Sequence, residues 1–584
     1  MQTRRTKIVA TVGPASRSAE RIRQLIVAGV DVFRLNFSHG KHPDHAEAFR
    51  LIRQAALDLQ RPVAIMQDLQ GPKIRVSDIA AGEIPLRAGA QLRLVSGDEA
   101  STAERVYISY PHVAEDVPPG ATILLDDGKL ELRAIGTEEG AVLCEVVLGG
   151  ILKPRKGVNF PGVPLRINAL SEKDKDDMLF GTTLGVDFVA ISFVQRASDI
   201  LEAKDYLESF GKKTPIIAKI ERQEAINNLD DIIAVTDAVM VARGDLGVET
   251  PAEMVPLYQK RIIAKCNEAG KPVITATQML DSMVTAPRPT RAEASDVANA
   301  ILDGTDAIML SNETAVGEYP LEAVRTMVRI AIHTEPTLTA NMRASLRKLQ
   351  DNTVSMAISA ATCQIAEALG ATAIITATHS GSTARQVSKY RPHAAILAAT
   401  PSEDTFRHMS LVWGVTPVLI PTAPDTDSLI NSVIDAASSG GMLHDGDTVV
   451  ISAGVPMGQP GTTNLIKVES VSTILAHGSG LGQKVVTGRA VLGPTASEAM
   501  ARVGPGDILV APATDRDYIP AMELVAGLIV EQGGLTSHAA IAAMSLGIPV
   551  IVGVANALTV IPDGQVVTID PKRGLIVAGR PKSL

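Results

Sequence analysis

The chain has 584 residues, a net charge of -9 and 20% charged residues. This length exceeds what one hydrophobic core organises, so we expect several domains. The acidic balance excludes a typical nucleic-acid binder, which would be basic. Three scattered cysteines, Cys144, Cys266 and Cys363, indicate neither a disulfide framework nor a thiolate metal site, which fits a reducing cytoplasm.

The N-terminal segment carries charges but no apolar signal core. The most apolar stretch, residues 539–561, is interrupted by glycine, proline and polar residues. We therefore predict a cytoplasmic protein with neither a secretion signal nor a membrane span.

The first half of the chain alternates short apolar runs with longer segments of helical period, which is typical of parallel βα units. Eight strands with intervening helices predict an α/β fold built on a (β/α)8 barrel, whose active site lies at the carboxyl ends of the strands. Polar residues stand at these ends, namely Asn36, Asp68, Ser192, Glu221, Asp245, Thr277 and Glu313. The runs are 7–13, 30–36, 63–69, 186–193, 215–221, 238–245, 272–278 and 306–313.

Residues 72–164 are too many for a βα loop, so we predict an inserted domain. Its short alternating runs predict a small β-barrel or sandwich, which is well placed to act as a lid. The catalytic barrel is then assigned to residues 1–71 and 165–340. A new strand and helix series predicts an α/β regulatory domain over 341–474. The Gly-rich segment 477–482 indicates a linker to an extra module over 483–584.

Lys219 and Glu221 alternate at the end of the fifth run, so both side chains are expected on one face. Arg34, Asn36 and Ser38 alternate in the same way at the second run, and we expect all three to project to one side.

Carboxylates at neighbouring strand ends, Asp68, Glu221 and Asp245, suit Mg²⁺, which takes few protein ligands and completes its shell with water or substrate phosphate. Several cations share the same rim, which indicates a polyanionic ligand held together with a metal. These cations are Arg34, Arg75, Lys219, Arg243 and Arg291.

Nine motifs in order over about residues 4–474 make the chain resemble the pyruvate kinases. They include FRLNFSHG (33–40), DLQGPKIR (68–75), SEKD (171–174), IIAKIERQEAI (216–226) and MVARGDLGVE (240–249). The resemblance implies phosphoryl transfer from phosphoenolpyruvate to ADP, giving ATP and pyruvate in the last step of glycolysis. It also implies Mg²⁺, with Mn²⁺ as an alternative, and a homotetramer.

Position by position, the resemblance implies that Arg34 holds the transferring phosphate and that Lys219 stabilises this group and the enolate oxygen. Glu221 and Asp245 bind Mg²⁺. The backbone of Arg243, Gly244 and Asp245 and the side chain of Thr277 hold the substrate carboxylate, with Thr277 close to the proton-delivery path. The nucleotide contacts that it implies are Asn36, His39, Arg75 and Lys173.

Many members of this family need K⁺ near the positions of Asn36, Ser38, Asp68 and Leu69, and they carry Glu where this chain has Lys73. Lys73, with Leu69 and Gln70, resembles the K⁺-independent type, because a tethered ammonium can replace a monovalent ion. We therefore predict activity without K⁺.

Two later segments suggest phosphate chemistry. The strand-to-helix turn 376–384 resembles the family's effector loop for sugar phosphates or nucleotides, with Thr378, Ser380, Ser382 and Thr383 as ligands. The last module resembles the swivelling phosphohistidine domain of phosphoenolpyruvate-using enzymes, with His538 at the phosphorylated position. Met544 stands where those enzymes have Arg, and no ATP-grasp domain is present, so we favour a structural, interface or regulatory role for the module.

Two alternatives remain open at this point. A barrel lyase would use Lys219 as a Schiff-base amine, although its carboxylate neighbours favour a charged lysine. A phosphoenolpyruvate-binding phosphotransfer or regulatory protein would use His538, although the set at the barrel speaks against it.

Overall fold

The computed structural model describes residues 4–338, 353–423, 426–454, 463–471 and 474–579. The chain forms two compact units. The first comprises Met1–Asp351, Ser380–Arg391 and Ser402–Pro417, and the second Asn352–His379, Pro392–Pro401 and Val418–Leu584.

Among the described residues, sixteen strands lie wholly within the first unit. In chain order they are β1 (Lys7–Thr11), β2 (Val32–Asn36), β3 (Ala64–Asp68), β4 (Ile84–Leu86), β5 (Gln91–Ser96), β6 (Arg105–Ile108), β7 (Thr122–Leu125), β8 (Leu130–Glu138), β9 (Ala141–Leu148), β10 (Gly150–Leu152), β11 (Val158–Asn159), β12 (Phe188–Ile191), β13 (Ile216–Ile220), β14 (Ala238–Ala242), β15 (Val273–Ala276) and β16 (Ala307–Leu310).

Eight of these strands close into a parallel barrel in the order β1-β16-β15-β14-β13-β12-β3-β2, which confirms the predicted (β/α)8 fold. Successive residues of β1 join different apolar clusters, Ile8 and Ala10 one and Val9 the other. This alternation places one set inside the barrel and the other against the helices. Every residue of β13 and β14 is buried, as expected for strands covered on both faces.

The helices of the first unit lie mostly between these strands, and several begin at side-chain caps. Ser171 and Thr290 each form a capping box with the acidic residue three positions later. The helices are Ala19–Ala28, His42–Asp58, Val113–Asp116, Glu172–Leu184, Ala197–Ser209, Gln223–Asn227, Leu229–Val235, Arg243–Glu249, Val255–Ala269, Arg291–Asp303, Asn312–Ala315, Pro320–Thr334, Ser382–Ser388 and Glu403–His408.

The insertion is an all-β structure with its own core. A six-stranded sheet of order β11-β7-β8-β9-β5-β6 accompanies the pair β10-β4. Leu94, Ile108, Ile123 and Leu132 are fully buried in its apolar cluster. The runs predicted as strands in this insertion are therefore confirmed.

Two further sheets follow. The first has the order β19-β18-β17-β20-β21 and the second the order β22-β29-β28-β24-β25-β26-β27-β23. Their strands are β17 (Ala373–Ala377), β18 (Ala395–Thr400), β19 (Val415–Leu419), β20 (Thr448–Gly454), β21 (Thr463–Ser470), β22 (Ile474–His477), β23 (Ser479–Leu481), β24 (Val486–Leu492), β25 (Ile508–Ala511), β26 (Gly527–Val530), β27 (Val550–Val552), β28 (Val566–Asp570) and β29 (Leu575–Ala578).

The helices of the second unit are Val354–Ala368, Thr426–Ser439, Ala496–Arg502, Ile519–Met522, His538–Leu546 and Ala557–Val560. The prediction of a linker at 477–482 is wrong. β22 pairs with β29 and β23 pairs with β27, so this segment supplies strands to the last sheet. Glycines there signal close packing, since a Cβ on Gly480 would lie 2.0 Å from the carbonyl oxygen of Pro571.

Candidate active site

Lys219 lies at the centre of a buried ion cluster at the carboxyl end of β13. Its Nζ is 2.9 Å from Glu221 Oε1 and 3.2 Å from Asp68 Oδ1. It also donates a hydrogen bond of 2.6 Å to Ser192 Oγ, which donates in turn to the carbonyl of Leu69. Burial lowers the pKa of Lys219, but the two carboxylates outweigh it and raise the pKa above its ordinary value. The side chain is therefore a fixed ammonium.

Arg34 and Asp68 form the second part of the cluster. Arg34 Nε donates to Asp68 Oδ2 at 2.5 Å, and its Nη1 donates to Thr11 Oγ1 at 3.1 Å. Burial by itself would raise the pKa of Asp68, but Arg34 and Lys219 lower it below its ordinary value. Asp68 thus stays ionised and orients both cations.

Glu221 and Asp245 offer two hard oxygen donors. Burial raises the pKa of Glu221 to about 7 although Lys219 opposes the rise, and the charge of Asp245 adds to it. A divalent cation between these carboxylates would relieve that repulsion. No group of three or more metal-ligating side chains occurs among the described residues. Mg²⁺ takes one or two carboxylates and completes its shell with other oxygens.

A braced turn follows β15. Thr277 has φ +68°, its Oγ1 accepts from the Gly244 N–H at 2.8 Å, and the hydroxyl donates to the carbonyl of Ala276 at 2.6 Å. Arg243 Nη2 donates to the Thr277 carbonyl at 2.8 Å, and Nη1 donates to Asp296 at 2.7 Å. The Arg243 guanidinium is thus committed to holding this turn.

The loop after β2 differs from the alternating strand that we predicted. β2 ends at Asn36, and the Ser38 N–H donates to Asn36 Oδ1 at 3.1 Å in a turn. The expectation that Ser38 continues the face of Arg34 and Asn36 is therefore wrong. The hydrogen bond of the Asx turn competes with a longer strand.

The predicted nucleotide contacts lie on different elements of the first unit. His39 is exposed and its carbonyl accepts from His45 Nε2 at 2.9 Å. Lys173 Nζ donates to the carbonyl of Phe37 at 3.0 Å and to Asp177 Oδ2 at 2.5 Å, which ties its helix to the loop after β2. Arg75 is half-buried at the start of the insertion.

Lys73 reaches the proposed metal ligands. Its Nζ is 3.4 Å from Asp245 Oδ1, and both side chains are half-buried. Leu69 is buried, and its carbonyl accepts from Ser192. The structure therefore brings the ammonium of Lys73 to Asp245.

The predicted effector loop and His538 belong to the later part of the chain. Between β17 and the helix Ser382–Ser388, Gly381 has φ +78° and the Ser380 carbonyl accepts from Arg385 at 3.1 Å. The segment 454–464 resembles a second family element near this loop, and its residues 455–462 lie outside the described residues. In the last module, His538 is exposed at the start of its helix, and its Nδ1 is 3.2 Å from Thr514 Oγ1.

Three contacts that position the site were not predicted from the sequence. The Phe193 N–H donates to Glu221 Oε2 at 2.7 Å from a residue with φ +58°. Ser192 holds Lys219, and Asn159 of the insertion donates to Glu249 of the barrel at 2.7 Å. The polar end of β12 was a signal for Ser192, whereas backbone N–H groups leave no sequence signal.

None of the described helices has the length and apolarity needed to cross a membrane.

Comparison with known families agrees with this geometry. The family model "Pyruvate kinase, barrel domain" matches residues 3–324, "Pyruvate kinase, alpha/beta domain" matches 356–469, and "PEP-utilising enzyme, mobile domain" matches 503–574. "Pyruvate kinase 2" from Synechocystis sp. is 52% identical over 580 residues, covering 99% of this chain and 98% of that protein. "Pyruvate kinase" from Geobacillus stearothermophilus is 50% identical, covering 99% of each. The chain therefore belongs to the pyruvate kinase family.

Proposed function

We propose that Lys219, Arg34 and Thr277 carry the catalytic work of this enzyme, which transfers the phosphoryl group of phosphoenolpyruvate to ADP and yields ATP and pyruvate. The observation that carries these roles is the buried ammonium of Lys219 between Asp68 and Glu221, with Arg34 on the other side of Asp68. Two fixed cations at one end of a barrel suit a reaction that moves a phosphoryl group out of a trianionic substrate.

Arg34 is built to hold the phosphoryl group. Its Nε and Nη1 are oriented by Asp68 and Thr11, and its Nη2 has no hydrogen bond to any residue that the structure describes. That nitrogen is available to phosphate oxygens, for which a guanidinium has suitable geometry. The bond from phosphorus to the enol oxygen breaks as a β-phosphate oxygen of ADP forms the new one.

Lys219 stabilises the negative charge that this transfer leaves on the enolate oxygen. Its raised pKa keeps the ammonium protonated throughout, so it acts by electrostatic stabilisation. The same feature argues against a Schiff-base lyase, because a nucleophilic amine needs a lowered pKa.

Glu221 and Asp245 are the residues that would hold Mg²⁺. When bound, this ion would supply positive charge that neutralises the charge on the substrate oxygens. The N–H groups of the first turn of Arg243–Glu249 have no partner within their helix, and Thr277 takes the one of Gly244. The N–H of Asp245 then receives the substrate carboxylate beside the turn that Thr277 braces.

Thr277 lies at the same turn as the carboxylate site and near the carbon that receives a proton. Its hydroxyl, held by the carbonyl of Ala276, orients the proton donor. For the nucleotide we propose contacts from Asn36, His39, Arg75 and Lys173, with Lys173 acting through the loop that it anchors.

A coupled assay of pyruvate formation tests the assignment. Wild type should turn over with phosphoenolpyruvate, ADP and Mg²⁺, and Lys219→Met should lose almost all turnover. No activity in wild type, or full activity in the variant, refutes the roles proposed here.

We propose that Lys73 replaces K⁺. Its ammonium near Asp245 supplies one positive charge beside the proposed metal site. Turnover with a large organic cation as the only monovalent ion supports this role, whereas near-zero turnover rescued by K⁺ contradicts it. Mn²⁺ should replace Mg²⁺ in the same assay.

We further propose regulation by a phosphorylated sugar or nucleotide through Thr378, Ser380, Ser382 and Thr383, in a homotetramer. Light scattering measures the assembly. Loss of effector response in Ser382→Ala with unchanged basal turnover would support the effector loop.

For the last module we propose a structural, interface or regulatory role. His538 is exposed, but Met544 on the same helix is also 66% exposed and offers no charge to a phosphate. An acid-labile phosphohistidine formed from phosphoenolpyruvate and lost in His538→Ala would instead establish phosphotransfer.

A further inference from the structure

A second cationic site lies in the first unit, at the amino-terminal ends of the barrel strands. Lys271 comes two residues before β15, Asp306 immediately precedes β16, and the helix Ser382–Ser388 lies over them. The pocket that these residues line is partly open to solvent. The catalytic cluster occupies the opposite, carboxyl ends of the same strands, so this pocket is separate from it.

The lining of the pocket is strongly cationic. Lys271, Arg385, Lys389 and Arg391 line it together with a single carboxylate, that of Asp306. Lys389 and Arg391 are 3% and 4% exposed, respectively. Beside the pair of Arg391 and Asp306, Lys271 and Arg385 therefore add two positive charges to this lining.

The one carboxylate is already committed. Asp306 Oδ1 accepts from Arg391 Nη1 at 3.0 Å, and Asp306 Oδ2 accepts from the Val273 N–H at 3.0 Å. Arg391 donates further to Asn267 and to the Gly304 carbonyl. Both oxygens of Asp306 therefore have partners, and neither pairs with Lys271 or Arg385.

Lys271 and Arg385 are the uncompensated pair. Lys271 Nζ donates to the Thr236 carbonyl at 2.7 Å, and Arg385 Nη1 donates to the Ser380 carbonyl at 3.1 Å. Across the described ranges, neither has an ion pair with a carboxylate. The charge of Asp237 acts on both groups, but Asp237 already forms an ion pair with Lys204 at 2.9 Å.

The electrostatics of the pair agree with this geometry. Burial lowers the pKa of Lys271, and Lys204 and Arg385 lower it further against the charge of Asp237. Burial also lowers the pKa of Arg385. An anion between the two side chains would offset this cost, since buried charges are normally paired.

We propose that this pocket binds a phosphate-type oxyanion, free or as the end of a phosphate ester, between Lys271 of the barrel and Arg385 of the helix. A guanidinium and an ammonium are the usual phosphate ligands, one as a fork and the other as a point charge. The bound anion holds the helix Ser382–Ser388 against the barrel. This inference does not rest on the proposed catalytic roles.

Thermal unfolding of the full chain in inorganic phosphate, against chloride at equal ionic strength, provides the first test. The wild-type midpoint should rise with phosphate. Lys271→Met and Arg385→Met should each raise the phosphate Kd about tenfold, the loss of one charge-assisted hydrogen bond. Lys213→Met removes an equal charge from an exposed site and should leave the response unchanged.

The same variants separate an anion site from a structural role. Without phosphate, Lys271→Met should match or exceed wild type in midpoint, because it removes an uncompensated charge. With phosphate the order should reverse. Equal destabilisation in both buffers would mean that Lys271 serves only its bond to Thr236, and the proposal would fail.

Crystals soaked in selenate locate the anion directly, by an anomalous peak between Lys271 Nζ and the Arg385 guanidinium. Peaks elsewhere with none in this pocket overturn the proposal. Glycerol phosphate in place of inorganic phosphate distinguishes the source. A tighter Kd for the ester assigns the pocket to a phosphorylated metabolite, and a tighter Kd for phosphate assigns it to the free ion.

Discussion

Removing the ammonium of Lys219 should cost both stability and activity, and a second substitution should return only the stability. In Lys219→Met, the buried Glu221 loses its partner at 2.9 Å, and Asp68 keeps only Arg34. Breaking one side of a buried ion pair costs about 3–5 kcal/mol. Adding Glu221→Gln removes the uncompensated charge, so most of that stability should return.

The loss should also depend on pH. Burial already raises the pKa of Glu221 from 4.5 to about 7 with Lys219 present. Without the ammonium, the folded pKa rises further, so the folded state gains a proton that the unfolded state lacks. A raised carboxyl pKa favours folding at low pH, and that benefit is lost as pH rises through the folded value. Lys219→Met should therefore be closer to wild type at pH 6 than at pH 8.

Denaturant unfolding without Mg²⁺ at both pH values measures these differences, using the transition of the catalytic unit. Turnover is measured in parallel and should stay near zero in both the single and the double variant. Unchanged stability in Lys219→Met at pH 8, or recovery of turnover with stability in the double variant, would refute the reasoning.

Three further outcomes are expected. Ser192→Ala should lower kcat about tenfold with little change in KM, because one charge-assisted hydrogen bond that orients Lys219 is lost; steady-state kinetics checks this, and Ser192→Thr should restore part of kcat. Lys73→Glu should make turnover depend on K⁺, measured by titrating K⁺ against an organic cation; K⁺-independent turnover in this variant would contradict the role of Lys73. Burial raises the pKa of Glu249, so wild-type stability should fall as pH rises from 4.5 through the raised value, and Glu249→Gln should weaken this slope in unfolding experiments.

The barrel was predictable from the sequence because its strands are covered on both faces. Such strands read as short continuous apolar runs, and seven of the eight runs end in a polar residue at the barrel mouth. Lys219 and Glu221 were paired correctly by the same reasoning, since alternation puts them on one face and their atoms lie 2.9 Å apart.

Features that depend on local hydrogen bonds were not predictable in this way. Alternation fails at Ser38 because the side chain of Asn36 captures its N–H and ends the strand. Composition marks residues 477–482 as a linker, yet their glycines permit close strand packing. The direction of the Arg243 guanidinium depends on Asp296, which lies 53 positions further along the chain.

Backbone strain at the strand ends explains why the site is held so firmly. Phe193 and Thr277, one bulky and one β-branched, have φ +58° and +68°, a region that such residues rarely occupy. Each conformation costs about 1–3 kcal/mol and persists only where the surroundings enforce it. Here Phe193 turns its N–H to Glu221, and Thr277 turns its hydroxyl to Gly244. Because the strained residues hold the proposed metal and carboxylate groups, the cost of orienting these groups is met on folding, before substrate binds.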